Sequence, residues 1–276
     1  MTRLKSRYTT ITMAPPTNVL DHIIHLSPPG KLSEAVAHWE QLGFEVIPGG
    51  THADGLTSNA LVALADGVYI ELIVFENPPT EPPASDHWWA KKQPGWIDWA
   101  CLGLEDHVDW TIAGREKNVN SGAEYQVGKE GGRKRASDGK ELMWRVTFPD
   151  LKHGRGTLPF FCQDLTPRDL RVPTADASTH TNTALGIAYV HLAVPQTQLD
   201  QVKAQLSVVL GTQPNELGEW ELAVPHGQFN PAPKLKIVGS VHENSTPSIE
   251  EVGFYVRKSG KCDTTEGVGK VSFVEL

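Results

Sequence analysis

The order of strand-like and helical segments recurs three times along this chain, and this repeat constrains the fold more than any other feature. The first copy comprises a strand, a helix and three strands, at 19–26, 31–42, 44–47, 58–65 and 68–75. Apolar residues follow helical spacing in the second of these segments, and Gly43 stands where a C-terminal cap is expected. Asp66-Gly67 is a strong hairpin signal between the last two strands. Three copies of one element order predict a modular fold.

Two further copies follow the first. The second has a strand, a helix and two strands, at 96–102, 106–119, 141–148 and 158–165. A polar insertion at 128–140 precedes its last two strands. The basic run Arg133-Lys134-Arg135 in that insertion is interpreted as a solvated loop, with an anion site as the alternative. The third copy has a strand, a helix and three strands, at 186–194, 197–211, 220–224, 235–238 and 249–256.

The three copies predict how the chain is divided. The expected segments are a disordered tail at 1–18, a core of two paired modules at 19–165 (19–76 and 96–165), a connector at 166–183 and a third, divergent module at 184–276. The connector is rich in Thr, Pro, Asp and Ser, which is typical of loops. At 276 residues the chain is long enough to bury a substantial core.

Composition and charge exclude several classes of function. The formal charge of -8 argues against nucleic acid as a partner, because phosphate binding needs clustered lysine and arginine. No apolar run approaches the roughly 20 residues that span a bilayer, so no membrane partner is expected. The P-loop, the dinucleotide fingerprint, the serine-hydrolase elbow and the His-Glu-x-x-His motif are missing, which argues against a nucleotide cofactor. Widely spaced cysteines and the lack of a secretory signal favour the cytoplasm.

Several short motifs occur in a characteristic order. They are Leu20-Asp21-His22-Ile23-Ile24, the helix end Leu42-Gly43-Phe44-Glu45-Val46 and the strand Tyr69-Ile70-Glu71-Leu72-Ile73. Their order resembles the first module of the vicinal oxygen chelate superfamily, which contains glyoxalase I, extradiol dioxygenases, epimerases and bleomycin-resistance proteins. The loop 49–52, the strand segment 59–61 and the segments 144–149 and 158–161 resemble its subgroup of glyoxalase-like domain proteins. The resemblance covers 19–170 well and the remainder loosely.

The resemblance implies a fold and a cofactor. The fold is α+β, with repeated βαβββ modules forming an open, curled mixed β-sheet barrel that carries its helices outside. The cofactor is a divalent metal (Zn, Fe, Mn or Ni), with ligands on the first and last strands of each module. His22 and Glu71 match these positions in the first module, and Trp99 and Gln163 match them in the second. Since Trp99 cannot bind a metal, the predicted ligands are His22, Glu71 and Gln163. Modules of this superfamily pair within or between chains, which makes a homodimer one expected arrangement.

Glu71 is the most informative residue, because it interrupts the apolar run 68–75. A buried carboxylate there would cost roughly several kcal/mol without charged or hydrogen-bonded partners. We therefore interpret Glu71 as a catalytic residue in a pocket, the alternative being an edge-strand glutamate facing solvent. His22 shares a strand face with apolar neighbours, and its alternative is a hydrogen-bonded core histidine.

Four other residues complete the predicted site. His52, in a Gly-rich loop, is predicted to contact substrate or transfer a proton, the alternative being an exposed loop histidine. Asn59 is expected to donate a hydrogen bond to a substrate carbonyl. Arg145 is expected to pair with a substrate carboxylate, or to form an ion pair on the strand face. Trp99 is expected to line the pocket and to favour a flat or apolar substrate.

These features favour a small-molecule enzyme that stabilises an enolate or oxyanion while Glu71 or a histidine moves a proton, as an isomerase or lyase does. One alternative is a metal-free protein that binds a small toxic molecule, which Trp99 at a ligand position favours. Another is an Fe(II) ring-cleaving dioxygenase, which needs two histidines and one carboxylate.

Overall fold

The computed structural model describes residues 15–78, 80–84, 86–135, 137–173, 180–227, 230–240, 246–258 and 269–276. Most of the predicted disordered tail, residues 1–14, lies outside this part of the chain. Thr17 is buried, and its hydroxyl donates to the carbonyl of Val209 at 2.7 Å. The last residues of the predicted tail therefore belong to the folded chain.

The first part of the chain alternates strands with short helices. In chain order the elements are β1 (Leu20–Leu26), α1 (Leu32–Gln41), β2 (Ile47–Thr51), β3 (Thr57–Ala63), β4 (Tyr69–Phe75), β5 (Gly95–Leu102), α2 (Val108–Val119), β6 (Lys129–Lys134), β7 (Glu141–Thr147), β8 (Phe160–Asp164) and α3 (Arg168–Arg171). Strands β1, β3, β4 and β5 are buried along their whole length, as expected of strands covered on both faces. Gly67 has φ of 84°, a left-handed conformation that glycine adopts without strain, in the β3–β4 turn.

These strands form one mixed sheet in the order β2-β3-β4-β1-β5-β8-β7-β6. Strand β1 lies centrally, parallel to β4 and antiparallel to β5. The two edges of the sheet approach each other, because His52 forms a β-bridge with Arg133 and the backbone N–H of Ala53 donates to the carbonyl of Gly132 at 2.8 Å. The sheet is thus a nearly closed barrel. The predicted α+β fold with a curled mixed sheet is confirmed.

The barrel wall carries apolar residues on both surfaces. Its inner surface holds a buried cluster of Ile24, Leu26, Ile73, Phe75, Trp89, Ile97, Ala100, Val146, Phe148, Phe160 and Cys162. On the outer surface, α1 buries Ala35 and Trp39, which lie four residues apart on one helix face. Trp39 belongs to the larger core, together with Ile23 and Leu72 of the sheet. The inner surface of the barrel is therefore the place for a pocket.

The second part of the chain forms a five-stranded sheet in the order β10-β11-β9-β12-β13. Its elements are β9 (Ala184–Pro195), α4 (Leu199–Leu210), β10 (Trp220–Glu221), β11 (Lys234–Ser240), β12 (Ser248–Val256) and β13 (Lys270–Glu275). Strand β9 is parallel to β11 and antiparallel to β12, as β1 is to β4 and β5. Strand β12 is parallel to β13, as β5 is to β8. The pairing pattern of the barrel's central strands thus recurs in this sheet.

Strand β6 occupies half of the polar insertion at 128–140. It pairs with β7 along its whole length, and Arg133 within it is only 5% exposed. The interpretation of the basic run as a solvated loop is therefore wrong for Arg133. The predicted connector at 166–183 likewise contains helix α3, whose Arg171 is buried. Nowhere in the described ranges is there a helix of the length and apolarity that crossing a membrane requires.

Candidate active site

The interior of the barrel contains a cavity of about 190 Å³. Four predicted site residues line it: His22 from β1, His52 from the β2–β3 loop, Asn59 from β3 and Glu71 from β4. They come from 50 residues of sequence and four neighbouring segments of the sheet. The fold therefore brings these four side chains to one place, while their chemical roles remain predictions.

Glu71 lies at the centre of this group. Its side chain is 8% exposed, and its Oε1 accepts a hydrogen bond from Nδ2 of Asn59 at 2.6 Å. Nε2 of His22 lies 3.7 Å from Oε2, and Nε2 of His52 lies 3.6 Å from Oε1. Since β4 lies between β3 and β1, the alternative of a solvent-facing edge glutamate is wrong. The carboxylate is held between two imidazoles.

Asp21 orients His22. Its Oδ2 lies 2.7 Å from Nδ1 of His22. Burial alone would raise the pKa of Asp21, but the guanidinium groups of Arg168 and Arg171 outweigh this and hold that pKa well below its usual range. An ionised carboxylate can only accept, so Nδ1 of His22 carries a proton and donates it. Nε2 of His22 is then the ring nitrogen that faces Glu71.

His52 is a second imidazole beside Glu71 and is not an exposed loop residue. Its side chain is 17% exposed, and its Nδ1 lies 2.6 Å from the hydroxyl of Thr57. Burial lowers the pKa of His52 from its ordinary value of 6.5, although the nearby Glu71 carboxylate opposes this shift. A neutral imidazole can accept a proton at neutral pH, which suits proton transfer.

Asn59 is held between Glu71 and the backbone of Gly49. A Cβ atom on Gly49 would lie 1.9 Å from Oδ1 of Asn59 and 2.7 Å from its carbonyl oxygen. We expect Gly49→Ala to displace the Asn59 amide and destabilise the protein by about 1–3 kcal/mol, as overpacking does. Urea denaturation measures the loss of stability, and deuterium exchange, described below, measures the effect on the site.

Gly114→Ala is the matched control. Gly114 lies in α2, and no atom outside its own helix lies within 4 Å of the position of its Cβ. Alanine in a helix interior is favoured over glycine by roughly 0.5–1 kcal/mol, so this variant is expected to be slightly stabilised. A Gly49→Ala protein with wild-type stability would show that the Asn59 contact does not need a glycine.

Three predicted site residues lie outside the cavity. Trp99 is fully buried in the core on the other face of β5. Arg145 pairs with Glu130 at 3.2 Å and donates to Oε1 of Gln163 at 3.3 Å. Both neighbours of Arg145 in β7 line the cavity, so Arg145 points away from it. The substrate-binding predictions for Trp99 and Arg145, and the metal-ligand prediction for Gln163, are therefore wrong.

A difference of one residue in register explains the errors for Trp99 and Gln163. His22 pairs with Ala100 across β1 and β5, and Trp99 points to the opposite face. The first and last strands of each module pair in the same way, so Ala100 and Cys162 correspond to His22 and Glu71. Side chains alternate along a strand, so a shift of one residue exchanges the two faces.

The residues do not fit the four-ligand metal site that the resemblance implies. Ala100, which corresponds to His22, has no donor atom, so one of the four ligand positions cannot be filled by a side chain. The two imidazoles approach different oxygens of Glu71, one of which is already bonded to Asn59. Over the described residues, no three His, Cys, Asp or Glu side chains are grouped so as to hold a metal ion. No step proposed below passes through a metal.

An aromatic wall faces the four polar groups, and the sequence analysis did not predict it. Its members line the cavity and are Trp88, Trp89, Trp144, Phe148 and Phe160. The ring of Phe148 lies 4.8 Å from that of Trp88 and 4.7 Å from that of Phe160. Trp144 and Val146 of β7 and Phe148 just after it recur at every second position, and this period of two could have revealed part of the wall.

Tyr69 and Arg171 add a polar patch to the cavity. Nη1 of Arg171 donates to the hydroxyl of Tyr69 at 2.8 Å. Burial raises the pKa of Tyr69 well above its ordinary value, so the hydroxyl stays protonated. Because the Tyr69 oxygen accepts from Arg171, its own proton is available to a ligand oxygen.

Two solved structures are similar to most of the chain. A hypothetical protein from Staphylococcus aureus matches with a TM-score of 0.66 and 14% identity, over 93% of this chain and 99% of that chain. A variant of 4-hydroxymandelate synthase from Streptomyces coelicolor matches with a TM-score of 0.53 and 12% identity, over 88% of this chain and 72% of that chain. At these identities the structures show a shared fold alone. No match is found among curated proteins.

The sequence matches one family model. The model describes a glyoxalase-like domain, and the match covers residues 20–210, which is more than half of the chain. The matched range includes the whole barrel and the four polar residues His22, His52, Asn59 and Glu71. The chain therefore belongs to the family of proteins with a glyoxalase-like domain.

Proposed function

We propose that this protein catalyses proton transfer at the carbon next to the carbonyl group of a small molecule, as isomerases and lyases do. One observation carries the proposal: a buried carboxylate, that of Glu71, faces the cavity inside the barrel between two imidazoles. A base held in position beside the reacting carbon contributes roughly 10²–10⁴-fold to such reactions.

Each polar group has a role in the proposed reaction. Glu71 removes the proton from the carbon, and the electron pair of the C–H bond moves to the carbonyl oxygen. The Tyr69 hydroxyl, polarised by Arg171, donates to that oxygen as negative charge develops. Asn59 holds the carboxylate in place. His52 carries the proton from Glu71 to the substrate atom that is protonated in the product.

His22 supports Glu71 from its other side. The Asp21 carboxylate fixes the orientation of the ring, and the ring stacks on Tyr69 with 4.6 Å between centroids. His22 therefore links the base to the group that stabilises the oxyanion. His22 and Glu71 occupy two of the four ligand positions that the resemblance implies, and the other two positions carry Ala100 and Cys162.

The test is uptake of deuterium from D₂O into substrates with exchangeable protons next to a carbonyl group. Proton NMR would follow a panel of small 2-oxo acids, their esters and neutral ketones, including benzylpyruvate and its methyl ester. We expect the protein to accelerate exchange of at least one compound over a heat-denatured sample. Because no proposed step uses a metal, we expect the rate to survive dialysis against a chelator.

Two results would overturn this proposal. Ligand binding without accelerated exchange across the panel would instead indicate a small-molecule binding protein. Exchange that disappears on chelation and returns with one added divalent metal would show that a metal carries the reaction.

A further inference from the structure

The cavity contains a cation that forms no ion pair with any residue that the structure describes. Arg133 lines the cavity and is 5% exposed. Within the described ranges, no carboxylate oxygen lies within 4 Å of its guanidinium group. Arg171, by contrast, forms ion pairs with both Asp21 and Asp164. Buried charges are normally paired, so an unpaired arginine in a cavity indicates that its partner is a ligand.

The protein holds Arg133 firmly in position. Nη1 donates to the carbonyl of Gly49 at 2.7 Å, and Nη2 donates to the carbonyl of Arg171 at 3.4 Å. The backbone of Arg133 forms a β-bridge with that of His52 at the barrel seam, which is the place where the two edges of the sheet meet. A guanidinium group has five N–H donors, so further donors remain for a planar anion.

The surrounding charges leave the guanidinium available. Burial lowers the pKa of Arg133, with Tyr69 and Glu71 opposing the shift and Arg171 and Arg135 adding to it. An arginine keeps its charge at neutral pH despite such shifts. Glu71 attracts the cation from beyond ion-pair distance, so it can act as a base while Arg133 binds a separate anion.

A second unpaired donor lies in the aromatic wall. Nε1 of Trp88 is buried and has no hydrogen-bond partner in the described structure. Trp88 lines the cavity and packs on Phe148. A buried N–H without an acceptor is costly, which marks this part of the wall as polar as well as aromatic. The rings around it offer contacts to an apolar body of aromatic size.

We infer that the ligand of this cavity is a small carboxylic acid with an apolar body, whose carboxylate binds Arg133 and whose apolar body packs against the aromatic wall that contains Trp88. This inference specifies the substrate class of the proton-transfer site and rests on the function proposed above. A 2-oxo acid with an aromatic or branched side chain has the required groups: a carboxylate, a carbonyl oxygen and an adjacent acidic carbon.

Calorimetric titration with benzylpyruvate and with its methyl ester tests the inference, because the two probes differ in one charge. We expect wild-type protein to bind the acid about 10–100-fold more tightly than the ester, as charge-assisted hydrogen bonds allow. Arg133→Gln should abolish this preference while leaving ester binding nearly unchanged. Trp88→Phe should weaken the binding of both probes several-fold and keep the ratio of their affinities.

The matched control is Arg135→Gln. Arg135 is two residues away, carries the same charge and pairs with Asp138 on the surface, so its removal should preserve the preference for the acid. If Arg133→Gln does not fold, as judged by circular dichroism, Arg133→Lys keeps the charge but loses the fork of donors. The lysine variant should then bind the acid about tenfold more weakly than wild type does. Equal wild-type affinity for acid and ester, or a preference that survives Arg133→Gln, would overturn the inference.

The two proposals fail in different ways. Preference for the acid through Arg133 without catalysed exchange would disprove the proposed function and leave the carboxylate site standing. Catalysed exchange of acid and ester at equal rates, with equal affinities, would disprove the carboxylate site alone. Glu71→Gln should retain binding of the acid, because the base and the anion site are separate groups.

Discussion

Glu71→Gln is expected to lower the rate of deuterium exchange by about 10²–10⁴-fold, the contribution of a positioned general base. Glutamine has nearly the same size and can still bond to Asn59, so the cavity should keep its shape. The variant removes the basic oxygen that faces His22 and His52. Initial rates of exchange, measured by proton NMR at saturating benzylpyruvate, report this change directly.

Glu76→Gln is the control for this variant. Glu76 follows the same strand but is exposed, so the same chemical change is made outside the cavity. We expect its exchange rate to equal that of wild type. A Glu71→Gln protein that is folded and retains wild-type exchange would remove Glu71 from the reaction.

Asp21→Asn is expected to destabilise the protein by about 3–5 kcal/mol, the usual effect of removing one partner from a buried ion pair. Asp21 is completely buried, and it lies 2.5 Å from Nη1 of Arg168 and 3.0 Å from Nη1 of Arg171. The variant leaves both guanidinium groups to share the single carboxylate of Asp164. Urea denaturation at neutral pH measures the difference.

Asp138→Asn provides the comparison for an exposed pair. Asp138 and Arg135 are 34% and 24% exposed, and such pairs contribute about 0–1 kcal/mol. A similar small effect of Asp21→Asn would show that the buried network does not hold α3 to the barrel.

The Asp21 network also predicts an effect of pH. The pKa of Asp21 is lower in the folded protein than in the unfolded chain, where it is about 3.9. The folded state therefore binds this proton less tightly, and the stabilisation is present above that value and lost as the pH falls further. Asp21→Asn should remove this part of the acid sensitivity.

The general fold was predictable because β4 and its neighbours carry long apolar runs bounded by clear turns. Strand β6 was missed because its sequence, from Lys129 to Lys134, is polar and contains two glycines. Such a sequence reads as a loop, and its pairing at the barrel seam depends on contacts far apart in the chain. Propensity alone does not carry that information.

The site was predictable only where a residue conflicted with its surroundings. Glu71 inside an apolar strand and His22 on an apolar face both indicated a pocket. Arg133 gave no such signal, because arginine in a polar, Gly-rich segment is ordinary on a protein surface. Trp99 was misplaced because short motifs fix the order of strands but leave the register open by one residue.

The two modules of the barrel contribute different things to the cavity. The groups proposed to move protons, among them Glu71 and His52, come from the first module, whereas Arg133 and Trp144 come from the second. Selectivity can therefore change through substitutions in one half of the barrel while the chemistry stays intact in the other. A chain built this way can acquire new substrates in evolution without rebuilding its reactive centre.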